Sequence, residues 1–173
     1  ENVQVRFERR YPDEPFQHFD DLLSAFLDEA KAQDIGSARI EIAVLGVAGP
    51  VRGNRVRLSN RAWDIDGAAL CAQFGMQEVL LVNDFAAAAN GIGALADADL
   101  MVLQAGRPGE RAAQVVLGAG TGLGVAFRVW QGGRYEVIAG EGGNAGFAPA
   151  PTQQAALWRY IHSRTGWVCL EQV

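Results

Sequence analysis

The sequence predicts an α/β chain with a mixed sheet, and three observations carry that prediction. First, strand-like and helix-like apolar spacing alternate in the early part of the chain: a strand at 39–47, a helix at 65–74, a strand at 78–82 and a helix from 84. Second, three apolar stretches at 114–117, 122–130 and 135–138 follow one another with short polar breaks, which is the pattern of a strand meander. Third, glycine falls at every second position of Gly118-Ala119-Gly120-Thr121-Gly122-Leu123-Gly124, inside that meander. Strand side chains alternate faces, so these glycines leave one face without side chains.

Each element follows from its own pattern. Residues 2–10 set Val3, Val5 and Phe7 against polar neighbours, which predicts a half-buried strand. Phe19, Leu22, Leu23, Phe26 and Leu27 recur at helical spacing, so 17–33 is an amphipathic helix. The 39–47 run is apolar enough for a buried strand and is stopped by Gly49-Pro50. Residues 51–58 form a hairpin arm with Gly53-Asn54 at the turn. Asp64 is the expected N-cap of the 65–74 helix. The helix opened by Asn83-Asp84 runs to about Leu95, and its small residues Ala86 to Ala89 permit close packing. Met101-Val102-Leu103 is read as a strand and 152–165 as the last helix.

Composition limits the function classes. Of the 173 residues, 49% are hydrophobic and 20% charged, which is ordinary for a folded globular chain. The net charge of −5 argues against a nucleic-acid surface. No apolar run approaches a membrane span, and no signal-peptide pattern opens the chain. Two cysteines, Cys71 and Cys169, make no disulfide framework; both are expected to be structural in a reduced, cytoplasmic setting. His18 and His162 belong to no cluster with metal-ligand spacing, so no protein metal site is expected. The four tryptophans are expected in the core. The chain begins at Glu1 without Met and ends at Val173 without punctuation, and it is read as a segment of a longer protein.

Three places carry chemistry. Asn83-Asp84 stands where a strand gives way to a helix, the position at which open α/β sheets bind ligands. Asp84 reads either as a plain helix cap or as a base that takes a hydroxyl proton, with the helix N-terminus favouring its ionised form. The 118–124 repeat is neither a dinucleotide fingerprint nor a Walker A loop. It reads as a crowded glycine hairpin or as a phosphate loop in which backbone N–H groups and the Thr121 hydroxyl donate. Gly140-Glu141-Gly142-Gly143-Asn144-Ala145-Gly146 surrounds one carboxylate with glycine, which is either a wide turn or a close approach to a ligand. Glu171 alone reads as a surface acid.

Taken in order, these pieces resemble bacterial ATP-dependent glucokinase, of the hexokinase/actin-like superfamily. The matching stretches are Gly46-Val47-Ala48-Gly49-Pro50, Leu58-Ser59-Asn60-Arg61-Ala62-Trp63, Val82-Asn83-Asp84-Phe85-Ala86-Ala87, and the residues at 117–125, 140–149 and 166–173. The resemblance implies an actin-like ATPase (ribonuclease H-like) fold, two α/β domains around a cleft. Residues 1–95 would be the smaller domain and 96–173 the first part of the larger. It implies Asp84 as catalytic base, with Asn83, Glu141, Asn144 and Glu171 as sugar ligands. Gly118, Gly120, Thr121 and Gly122 would serve the nucleotide phosphates. ATP and Mg²⁺ are the implied cofactors, the metal held largely by ATP oxygens and water. The implied partner is glucose or a related hexose, with no nucleic acid, no membrane, and a homodimer left open. The family's first phosphate loop would precede residue 1, and the adenosine pocket would follow residue 173. One departure stands out: the family carries His where this chain has Asn144. Asn both donates and accepts hydrogen bonds but carries no charge. Two rival readings follow, a kinase of another hexose or an amino sugar, and a non-catalytic sugar-sensing regulator.

Overall fold

The computed structural model describes residues 4–12, 14–33, 40–58, 61–107, 109–120, 122–150 and 152–173. The chain is mixed α/β and packs as two compact units, Glu1–Asp84 and Phe85–Val173.

In the first unit, helix α1 spans Phe19–Ala32 and turns Leu23, Leu27 and Ala30 inward. Its start is fixed by His18, whose backbone N–H donates to Asp21 at 3.2 Å. Strand β1 (Ile42–Val47) pairs in parallel with β4 (Glu78–Asn83), Val47 level with Asn83. Between them lie β2 (Arg55–Arg57), β3 (Asp64–Asp66) and helix α2 (Gly67–Phe74). The predicted turn is present: Gly53 and Asn54 have φ of 57° and 59°, and Arg52 and Arg55 bond to each other in both directions. Positive φ at both central residues matches the twist of a two-residue hairpin. The core gathers Leu23, Leu27, Val47, Trp63, Leu70 and Val79.

Asn54 joins this hairpin to the parallel pair. Its side chain donates to the Val79 carbonyl at 2.8 Å and accepts from the Leu81 N–H at 2.9 Å. A side-chain amide thus acts here as a short piece of neighbouring strand.

Several sequence expectations need correction. The 65–74 helix starts later, at Gly67, and its N-cap is Asp66, not Asp64; Asp66 accepts from the Ala68 and Ala69 N–H groups. The shift arises because Asp64 and Asp66 are claimed by an antiparallel ladder with Arg57 and Arg55. Ion pairs follow that register, at 2.6 Å for Arg55–Asp66 and 3.9 Å for Arg57–Asp64. The 39–47 strand is shorter, begins at Ile42, and is not buried on both faces: Ile42 and Val44 are exposed, as is Leu80 beside Val44. Residues 4–10 of the expected first strand have no ladder partner among the described residues. They instead lie on α1, with the Phe7 and Phe26 ring centroids 5.1 Å apart and Arg9 paired to Glu29 at 2.8 Å.

Helix α3 spans Asp84–Gly91, its first residue the last of the first unit and the rest in the second, and passes into a 3₁₀ turn at Ile92–Ala94, so the predicted Ala-rich helix is shorter in its α form. Ala86 and Ala89 are buried, as their size allows. Strands β5 (Gln114–Ala119), β6 (Leu123–Gln131) and β7 (Arg134–Gly140) form the predicted antiparallel meander. Helix α4 covers Thr152–Thr165. Met101, Val102 and Leu103 form no strand; they are exposed and unladdered among the described residues. An apolar triplet suffices for a strand only where another strand offers its backbone. Of the tryptophans, Trp63 is buried in the core as expected, whereas Trp167 is exposed. Cys71 and Cys169 are free thiols, half-buried and buried respectively.

Candidate active site

The site residues fall in the two units, and each group is built by its own elements. In the first unit, Asn83 ends β4 and Asp84 opens α3. Because β4 runs parallel to β1, Asn83 stands at the carboxyl end of the pair. A carboxylate in the first turn of a helix is favoured by the exposed N–H groups there, which makes the strand end at this point. The Asn83 amide donates to the Gly49 carbonyl at 3.3 Å and to Asp84 Oδ1 at 3.1 Å. Asn83 is half-buried and Asp84 exposed, so an anchored amide orients a carboxylate that solvent reaches. A carboxylate held in this way can accept a proton from a hydroxyl brought to it.

The second group lies at the start of β6. The Gly120 N–H donates to the Gly122 carbonyl at 2.8 Å and closes the turn between β5 and β6. Thr121 lies outside the described residues. A Cβ built on Gly120 would meet nothing within 4 Å, so the backbone there is open to a bulky ligand such as phosphate. Glu141 follows the last residue of β7, and a 3₁₀ turn at Gly142–Asn144 comes next. The Asn144 N–H donates to the Glu141 carbonyl at 3.0 Å. Gly143 is buried against β6, where a Cβ would overlap the Leu123 carbonyl.

Glu171 sits in a second 3₁₀ turn, Leu170–Gln172. The two turns are laced together by the backbone. Leu170 N–H donates to Ala145 at 3.0 Å and Phe147 N–H to Val168 at 2.9 Å. The Glu171 carboxylate accepts from the Leu123 N–H at 3.3 Å, and a Cβ on Gly122 would lie 2.6 Å from the same oxygen. Glu141 and Asn144 from one turn and Glu171 from the other, later in the chain, are thereby grouped around the glycine turn, all three exposed. Among the described residues, no cluster of three or more His, Cys, Asp or Glu side chains is arranged to hold a metal ion.

The glycine repeat divides its work. Gly120 is open, but the bare face of Gly118 is occupied: a Cβ there would lie 2.5 Å from Cζ of Phe85. Gly124 is the register partner of Gly118, and a Cβ on it would overlap the same ring. The sequence reading missed Phe85. Its signal was the placement of Gly118 and Gly124 at equal distances from the turn, with an aromatic residue right after the candidate base.

A family model for glucokinase matches residues 1–173, the whole chain. The chain belongs to the glucokinase family. The glucokinase of Chromobacterium violaceum is 33% identical over 173 residues, 100% of this chain and 47% of that protein. The glucokinase of Nostoc punctiforme is 40% identical over 121 residues, 70% of this chain and 36% of that one. The chain thus spans about half the length, or less, of these curated relatives. Among solved structures, a glucokinase from an Antarctic psychrotroph superposes with a TM-score of 0.76 at 28% identity, over 94% of this chain and 49% of that one. A Balamuthia mandrillaris glucokinase, crystallised in complex with glucose, gives a TM-score of 0.63 at 20% identity over 89% of this chain and 49% of its own, a likeness of fold. The glucokinase likeness and the mixed α/β architecture agree.

Proposed function

We propose that the protein carrying this chain is an ATP-dependent sugar kinase that transfers the γ-phosphoryl group to the 6-hydroxyl of glucose. The observation that carries this reading is the grouping of Glu141, Asn144 and Glu171 around an open glycine turn, with Glu171 bonded to the loop backbone at Leu123. Carboxylates and an amide bind a polyhydroxylated substrate, and a site built for hydroxyls rejects analogues that lack them. The open backbone at Gly120 fits an incoming phosphate, with Gly118, Thr121 and Gly122 completing the loop. ATP supplies the phosphoryl group, and Mg²⁺ neutralises its charge while held by ATP oxygens and water. Asn83 holds both a sugar hydroxyl and the Asp84 carboxylate, and Asp84 takes the proton of the attacking 6-hydroxyl.

In the same reading the fold is the actin-like ATPase one, with two α/β domains around a cleft. Residues 1–95 belong to the smaller domain and 96–173 to the first part of the larger. The existence of two compact units, dividing at Asp84, supports a two-domain reading. A cytoplasmic setting suits ATP chemistry, and no helix among the described residues is long and apolar enough to cross a membrane. Asn144 favours a second reading, phosphorylation of another hexose or an amino sugar, because an exposed, uncharged amide stands in the group that would hold the sugar.

The deciding experiment is Asp84→Asn in the full-length protein, assayed for sugar phosphorylation and for glucose binding. Turnover is expected to fall by a factor on the order of 10² to 10⁴ while glucose still binds. Near-normal turnover would remove Asp84 from the role of base. A panel of hexoses and amino sugars assayed with ATP decides between the two substrates.

A further inference from the structure

The ring of Phe85 fills a space that two glycines leave. Gly118 of β5 and Gly124 of β6 face each other in register, so their bare α-carbons stand side by side on one face of the meander. A side chain on either would collide with the ring. The next residue of β6 on that face, Ala126, is fully buried. The one after it, Arg128, comes within 3.4 Å of a Cβ built on Gly93, beyond the end of α3. The helix side of α3 that carries Ala86 and Ala89 is buried as well. The face that begins with paired glycines therefore receives the Phe85 ring from α3 at one end and brings Arg128 beside Gly93 further along.

We propose that Phe85 is a positioning residue for Asp84. Seated between Gly118 and Gly124, the ring fixes the first turn of α3 on the strand pair that carries the phosphate turn. It thereby sets the direction of the carboxylate one residue before it. The inference rests on the reading of Asp84 as the base. Its physical basis is that neighbouring residues of one helical turn move together, so a ring that shifts in its slot swings Asp84 with it. The Asn83 amide holds one oxygen of that carboxylate, and the Phe85 ring adds a hold on the next residue of the same turn. Leucine at 85 keeps an apolar side chain but loses the flat ring that two facing glycines accommodate.

The test is made in the full-length protein with Phe85→Leu, Gly124→Ala and Asp84→Asn, alone and combined. Phe85→Leu is expected to lower kcat on the order of 10- to 100-fold, the cost of misplacing a reacting group, with glucose affinity by tryptophan fluorescence unchanged. Gly124→Ala is expected to lower kcat in the same way by displacing the ring. In the Asp84→Asn background, Phe85→Leu is expected to cost nothing further, because it acts through a carboxylate that is gone. A folded Phe85→Leu protein with unchanged kcat overturns the proposal. So does a loss of the same size in the Asp84→Asn background, since the ring would then act as packing alone. If Phe85→Leu does not fold, Gly124→Ala decides, and unchanged kcat there overturns the proposal. Near-normal turnover in Asp84→Asn sinks the base reading, which is a separate result.

Discussion

Asn54 and Glu171 each hold a backbone N–H with a side-chain oxygen, and the consequences of losing them differ. Asn54 bridges Val79 and Leu81 from a left-handed backbone position. Asn54→Ala leaves a part-buried carbonyl and a part-buried N–H without their partner and puts alanine where asparagine is better tolerated. We expect a loss of about 2–3 kcal/mol, read as a lower urea midpoint with unchanged slope. Glu171 is exposed, and its hydrogen bond to Leu123 survives in Glu171→Gln, which keeps an acceptor oxygen. Stability should therefore hold, while glucose affinity falls about tenfold through loss of a charged hydrogen bond. Calorimetric titration beside a thermal melt separates the two effects; equal affinity would remove Glu171 from the sugar site. Asn144→His puts an imidazole in place of the amide at the candidate sugar site, and the expected outcome is a changed ratio of kcat/KM between glucose and its rivals.

At the scale of elements, β3 and α2 share one residue. Asp66 ends the ladder opposite Arg55 and also caps the helix. Asp66→Ala should cost about 1–2 kcal/mol, chiefly the cap, since the ion pair with an exposed arginine adds little. A chemical denaturation curve checks it, and the Arg55→Ala control should fall well below that value. This overlap also shows what the sequence could and could not reveal. The meander, helices α1 and α4, and the Gly53-Asn54 turn were legible because each rests on local spacing or local backbone preference. The Asp64 cap was misplaced because two aspartates, two residues apart, offered equal capping chemistry, and the choice was made by arginines across a ladder. Residues 4–10 and 101–103 have strand composition but no ladder partner among the described residues, which no local pattern reveals. The candidate site was legible as a set of residues. The backbone lacing that groups Asn144 with Glu171 was not, since it joins residues with no shared periodicity.

On the scale of the whole molecule, two compact units each present an apolar sheet surface: Ile42, Val44 and Leu80 in one, Val115, Phe127 and Ile138 in the other. Ligand linkage gives a global test of the proposed function. Glucose at 100 times its dissociation constant should stabilise the protein by about 2.7 kcal/mol, seen as a raised melting temperature. A sugar without the 6-hydroxyl should still shift the melt but should not be phosphorylated. An absent shift with glucose, beside a clear one with an amino sugar, would move the assignment to the second reading. Finally, the slot at Gly118 and Gly124 constrains which substitutions can occur singly. Neither glycine can drift on its own, because every other amino acid brings a carbon into the Phe85 ring. Across diverging relatives, these three positions are expected to change together or not at all, a smaller residue at 85 accompanying any side chain at 118 or 124.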